Sequence, residues 1–251
     1  MQMTERDDIA TVCAIAAIAI CTTTLAHEAM GHGGACLLLG GHITRLTNAY
    51  FQCSLRSRFI APAGPLGNYA AGLFAWLAQR IIPSTRPRLK LYALLVMAFS
   101  LFWEAGYLVA AMAGGFGDYL FAAQDFIGGP EWRWRIGGIV LGIGLYVIFI
   151  RMLANGASAF ATASGRVPQL LRPAWLTAIA VMAFAASFYT PDRQGAMGEA
   201  VGAVLSGFPL VFPFRNLSAG AAPRVARSWG LIATGAVVVG IFAATLGRGL
   251  P

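Results

Sequence analysis

Apolar residues run in long blocks along this chain, separated by short polar stretches. Ile9 to Gly40, Phe59 to Ile82, Leu91 to Ala113, Ile136 to Ala154, Pro173 to Thr190 and Trp229 to Gly247 are each apolar over most of their length. A helix needs roughly 20 such residues to cross the hydrocarbon core of a bilayer, so the pattern predicts six transmembrane helices. Gly195 to Val211 is shorter and rich in glycine, a half-span at most. The segment His42 to Arg58, HITRLTNAYFQCSLRSR, is polar, and Ile43, Arg45 and Thr47 alternate with Thr44 and Leu46. That period of two predicts a short hairpin or re-entrant strand at the membrane face after the first span. The expected fold class is an all-α polytopic membrane protein.

Composition agrees. The 251 residues are 58% hydrophobic and 11% charged, with a mean hydropathy of +0.68, whereas a soluble domain carries roughly 25% charged residues. No interspan stretch is long enough to fold alone, so residues 1–251 read as one membrane-embedded domain. The opening MQMTERDD is acidic and lacks the basic region of a signal peptide, so the first apolar run is expected to be retained.

The net charge of +8 rests on 18 basic residues, all arginine except Lys90. They lie mostly between spans, where they suit anionic lipid headgroups, and they form no basic stripe of the nucleic-acid-binding kind. With six spans, Arg6, Arg80, Arg86, Arg88, Lys90, Arg151, Arg166, Arg172 and Arg248 fall on the N-terminal face. The other half of the 18, including Arg215, Arg224 and Arg227, fall opposite. Only the dense loop PSTRPRLK, Pro83 to Lys90, leans toward a cytoplasmic N-terminus. Cys13, Cys21 and Cys36 lie in the first span, where small, weakly polar residues pack between helices. No disulfide framework is expected.

Ionisable residues inside spans each cost on the order of 2.5 to 3.5 kcal/mol and mark functional sites by default. Here they are His27 and Glu28, then His32, with Glu104 in the third span and Asp118 just beyond it. All three histidines of the chain fall between positions 27 and 42. Two histidines with a carboxylate suit zinc, which keeps one coordination position open and lowers the pKa of its water to about 7. Glu28, adjoining His27, is placed to accept that water's proton and pass it to a leaving amine. His42 follows two glycines and reads as a solvated turn residue, and Cys36 as a packing residue.

The spacing is unusual. His27 and His32 are five apart, and on an ideal α-helix that separation rotates them by about 140°, against about 40° for four. Two devices bring them to one face: a π-bulge, with its i to i+5 bonding, or a helix loosened at Gly31, Gly33 and Gly34. If both histidines merely hydrogen-bonded neighbouring helices, Glu28 would have no explanation.

AHEAMGHGGACLLLGG followed by APAGPLGNYAAGLFAWL, Ala61 to Leu77, resembles the site-2 protease family of intramembrane zinc metalloproteases. The resemblance covers about Thr24 to Leu77 and extends loosely to Asp118. The C-terminal half has no support from it: the expected organisation is a metal-site core over about residues 9–127, with additional transmembrane helices over 136–247 read from the apolar pattern. The resemblance implies zinc held by His27, His32 and an aspartate near a later span, with Glu28 as catalytic base. Asp118 in AGGFGDYLF is the nearest aspartate, Asp125 in AAQDF a second, and Glu104 an additional candidate ligand. Asn68, in Gly64-Pro65-Leu66-Gly67-Asn68, would hold an unwound substrate strand, and the polar hairpin would add backbone partners. The chain departs from the family in the extra residue between its histidines and in lacking Asn-Pro before Asp118.

The expected partner is a transmembrane or membrane-anchored protein substrate, and the expected location a bacterial inner (plasma) membrane. PEWRWR, Pro130 to Arg135, reads as an interfacial anchor. The alternative is a catalytically inactive relative that binds or regulates other membrane proteins. A transporter also uses buried carboxylates and broken helices. A di-iron oxygenase needs several histidine boxes, which three histidines do not fill.

Overall fold

The structure, a computed structural model, describes residues 6–161, 165–212 and 222–250; Arg215 lies outside them. The described residues form helices joined by short turns, with one two-stranded antiparallel hairpin, β1 (Ile43–Leu46) and β2 (Phe51–Cys53). Helix α1 (Ile9–Leu38) precedes the hairpin. After it come α2 (Ile60–Ile81), α3 (Pro87–Gly114), α4 (Gly117–Phe126) and α5 (Glu131–Ala157). The chain ends with α6 (Arg166–Ala186), α7 (Arg193–Leu205) and α8 (Trp229–Phe242), the last closing on a short π turn. The protein is an all-α polytopic membrane protein, and α1, α3, α5, α6 and α8 are long and apolar enough to cross a bilayer.

Six such helices were expected, and α2 is the exception. At 22 residues it has the length, but its buried face is Gly64, Pro65, Asn68, Gly72, Ala75 and Gln79, spaced as one side of a helix. Its large apolar residues, Leu66, Phe74, Leu77 and Ile81, are exposed on other faces. Small and polar side chains on the packed face lower its hydropathy below that of the other five.

The helix α3 is the central post, packing against α1, α2 and α5, while α1 also packs on α6 and α8. Lipid is as apolar as leucine, so helices in a bilayer associate by close contact between small residues. The α1–α2 contact is of that kind. A Cβ on Gly31 would lie 2.5 Å from the Ala63 carbonyl oxygen, and one on Gly67 would run into the Ala26 carbonyl.

Each end of the bundle is tied by polar contacts. On the N-terminal face Asp7 pairs with Arg166 at 2.6 and 2.7 Å, and Arg166 also donates to the Ala222 and Pro223 carbonyls. Arg88 donates to the Ala226 and Arg227 carbonyls. On the hairpin face Leu46 bridges Leu250, and Tyr50 donates to Asp192 at 3.0 Å.

The half-span Gly195 to Val211 forms α7 and a 3₁₀ turn, and it runs back along α6. The Trp175 indole donates to the Val204 carbonyl and Arg172 to that of Val211. This return crossing corrects the sequence-based sidedness: Arg224 and Arg227 lie on the N-terminal face with Asp7 and Arg88, and Arg248 lies on the hairpin face.

A second correction concerns cysteine. Cys36, at the end of α1, is disulfide-bonded to Cys53 on β2. The two are 17 residues apart in sequence, and only the hairpin's fold back over α1 brings them together. Cys13 and Cys21 are free.

Asp7 and Arg166 side chains are 8% and 7% exposed, so breaking the pair leaves a buried charge. Arg166→Ala is expected to destabilise the chain by about 3 to 5 kcal/mol, read as a lowered unfolding midpoint in detergent. Arg88→Ala, which removes only exposed contacts, should shift it far less.

Candidate metal centre

Leu25–Gly33 is a π-helix of nine residues inside α1. Its i to i+5 bonding brings residues five apart onto one face, which is the spacing of His27 and His32. Both are buried, at 2% and 4% exposure, and their rings meet edge to face with centroids 4.9 Å apart. His27 stacks on Trp103 at 4.9 Å and His32 on Phe51 of β2 at 5.3 Å.

Asp118 enters from the opposite side. Gly115 and Gly117, at φ 76° and 78°, turn the chain sharply between α3 and α4, a conformation glycine adopts without strain. Asp118 therefore falls in the first turn of α4, where its backbone N–H donates to the Tyr107 hydroxyl at 2.9 Å. Its Oδ2 lies 3.4 Å from His27 Nε2 and 3.3 Å from His32 Nε2. One donor atom from each residue lies within 4.8 Å of the other two.

These separations leave room for an ion between the donors. A charge-assisted N–H···O bond is about 2.7 to 2.9 Å long. Ligands held at about 2.0 to 2.2 Å around a tetrahedral zinc stand roughly 3.3 to 3.5 Å apart, which matches both distances.

Hydrogen bonding points the same way. His32 Nδ1 lies 2.8 Å from the Ile60 carbonyl oxygen, which only accepts, so Nδ1 carries a proton and Nε2 is the nitrogen turned toward Asp118. His27 Nδ1 lies 2.9 Å from Glu104 Oε1, fixing the same tautomer. With both rings neutral, two imidazole lone pairs would converge on one carboxylate oxygen, an arrangement that a cation between them would stabilise.

Glu104 stands behind His27, fully buried on α3. Asn68 donates to its Oε1 at 2.8 Å and Tyr119 to its Oε2 at 2.9 Å. A carboxylate behind a histidine ligand orients the ring and raises its basicity, so Glu104 supports the cluster from outside. Asn68, the expected substrate-holding residue, is also fully buried and lies beside His27 and Glu104. It is not among the residues lining the cavity. Asp125 is exposed and outside the cluster, and His42 is exposed at the hairpin base.

The cluster borders a cavity of about 1710 Å³ whose walls include Glu28, Tyr50, Tyr107 and Asp118. Glu28 is 4% exposed, and its Oε2 has no hydrogen-bond partner. Tyr50 keeps its proton at the rim: burial, and then the Asp192 carboxylate it donates to, push its pKa up to about 12.

Sequence reasoning missed Tyr107, Tyr119 and Trp103. Trp103 and Tyr107 flank Glu104 at helical spacing and Tyr119 adjoins Asp118, a signal readable only once those carboxylates are taken as site residues. No family model, curated protein or solved structure matches the chain.

A Cβ on Gly64 would collide with His32 Nε2 and lie 2.7 Å from His27 Nε2, so it would intrude where the imidazole lone pairs meet. Gly64→Ala is therefore expected to abolish stoichiometric metal binding, measured by elemental analysis of the purified chain. Glu104→Gln should weaken metal affinity by about 10- to 100-fold, measured by chelator competition.

Proposed function

We propose that the chain is an intramembrane zinc metallopeptidase of the site-2 protease type, hydrolysing a peptide bond of a transmembrane or membrane-proximal substrate. The observation that carries this reading is the convergence of His27 Nε2, His32 Nε2 and Asp118 Oδ2 beside an unpartnered, buried Glu28 carboxylate. Two imidazoles and one carboxylate are a donor set of catalytic zinc sites, with a fourth position left for water or substrate. The membrane we assign it to is a bacterial plasma membrane.

His27, His32 and Asp118 would hold the ion. Zinc bound there supplies a Lewis acid for the substrate carbonyl and a water acidified toward neutrality. Glu28 takes a proton from water at Oε2 and returns it to the nitrogen of the breaking C–N bond, while hydroxide adds to the acyl carbon. Burial of Glu28 suits both halves of that exchange, since a carboxylate without a fixed partner is free to gain and lose a proton.

A helix satisfies its own backbone, so substrate must unwind before its carbonyl is open to attack. Phe51, Gln52 and Cys53 of β2 line the cavity, and an extended substrate segment can pair with such a strand by augmentation. Asn68 contributes by holding Glu104, and through it His27.

In lipid vesicles containing the full chain and fluorogenic single-span peptides, Glu28→Gln should keep stoichiometric zinc and lower cleavage by about 10²- to 10⁴-fold. Undiminished cleavage removes Glu28 from the base role. Wild-type chain that carries no metal favours the inactive, partner-binding alternative.

A further inference from the structure

We infer that the cavity and its metal cluster open toward the oxidising, extracytoplasmic side of the membrane, with the N-terminus in the cytoplasm. A substrate bond would then be cut at the extracytoplasmic end of a transmembrane segment. That last clause rests on the peptidase reading; the orientation does not.

Three observations carry the orientation. The Cys36–Cys53 bridge lies on the hairpin face, and disulfides persist in oxidising compartments while cytosolic thiols are kept reduced. The chain is built closely around the bridge: a Cβ on Gly41 would lie 2.7 Å from Cys53 Sγ and 3.0 Å from Cys36 Sγ.

Charge gives the second. Short loops near helix ends carry the positive-inside bias, and Arg86, Arg88 and Lys90 sit in or beside one tight turn on the N-terminal face. The return crossing by α7 adds Arg224 and Arg227 to that face and removes Arg248 from it, so the even division becomes an excess on the N-terminal side. On the hairpin face, Arg135 is committed to the Met112 and Ala113 carbonyls at the end of α3.

Depth is the third. The 16 α-helical residues that precede the π segment carry the chain roughly 24 Å along its axis, most of a hydrocarbon core about 30 Å thick. The ligands therefore lie near the hairpin face, and Arg45, Arg56 and Asp192 from that face line the cavity. Hydrolysis there would leave a membrane-bound stub and release the segment beyond the cut outward.

Two single-cysteine additions to the full chain decide it: Thr190→Cys, exposed on the hairpin face, and Thr85→Cys, exposed on the N-terminal face. Intact bacterial cells expressing each are treated with a membrane-impermeant maleimide. Thr190→Cys is expected to label before lysis and Thr85→Cys only afterwards. The reverse pattern, or labelling of both in intact cells, overturns the orientation whatever the peptidase activity. In chain purified without reductant, Cys36 and Cys53 should gain maleimide mass only after reduction; reaction of both beforehand removes the disulfide argument. Correct labelling with no peptide cleaved by the zinc-loaded chain would leave the orientation standing and defeat the peptidase reading alone.

Discussion

The arrangement of this protein depends on one irregularity of backbone hydrogen bonding, the π-helical stretch Leu25–Gly33. In an α-helix the same residues would aim His27 and His32 about 140° apart, and no bending of side chains would bring both Nε2 atoms to one ion. Shifting the bonds by one residue absorbs the extra position in HEAMGH and restores a shared face. A π-helix is not a conformation the chain adopts without support. Gly31 and Gly67 let α1 and α2 touch backbone to backbone, and the His32 bond to the Ile60 carbonyl secures the far side.

The candidate ligands are held in place by protein contacts alone. Each histidine has its Nδ1 committed and its ring stacked, His27 between Glu104 and Trp103, His32 between Ile60 and Phe51. Little side-chain freedom is left to lose on binding, so the cost of ordering the site is met during folding. The hairpin joins this second layer because Phe51 rides on β2, which the Cys36–Cys53 bridge ties to the end of α1. Loosening the hairpin would therefore loosen a ligand as well as the cavity rim.

Much of this was legible in the sequence, and the parts that were not have physical reasons. Long apolar blocks specify membrane helices because the bilayer demands about 20 such residues, and period-two alternation specified the hairpin. The crowding of His27, Glu28 and His32 flagged the centre because charge is costly at that depth. The sidedness of α7 and α8 was not readable, because a half-length glycine-rich helix that doubles back has no hydropathy signature. The disulfide was hidden because its partners meet only after the hairpin folds over α1. Asn68 looked like a cavity residue from its motif, yet the face of α2 that packs on α1 and α3 takes it behind His27. Spacing along one helix gives the face a residue shares; it does not give what the next helix puts against it.

Polar groups inside a bilayer are tolerated when something satisfies them. Glu104 receives bonds from Asn68 and Tyr119, with His27 on its inner oxygen. His32 has its carbonyl and Asp118 its tyrosine. Against that background the informative groups are His27 Nε2 and His32 Nε2, the Asp118 oxygen they both face, and Glu28 Oε2, which has no hydrogen-bond partner. They sit together at the wall of one cavity. Their common orientation is what a bound cation and a mobile proton would each require, and it is the physical reason to look for chemistry at this end of α1.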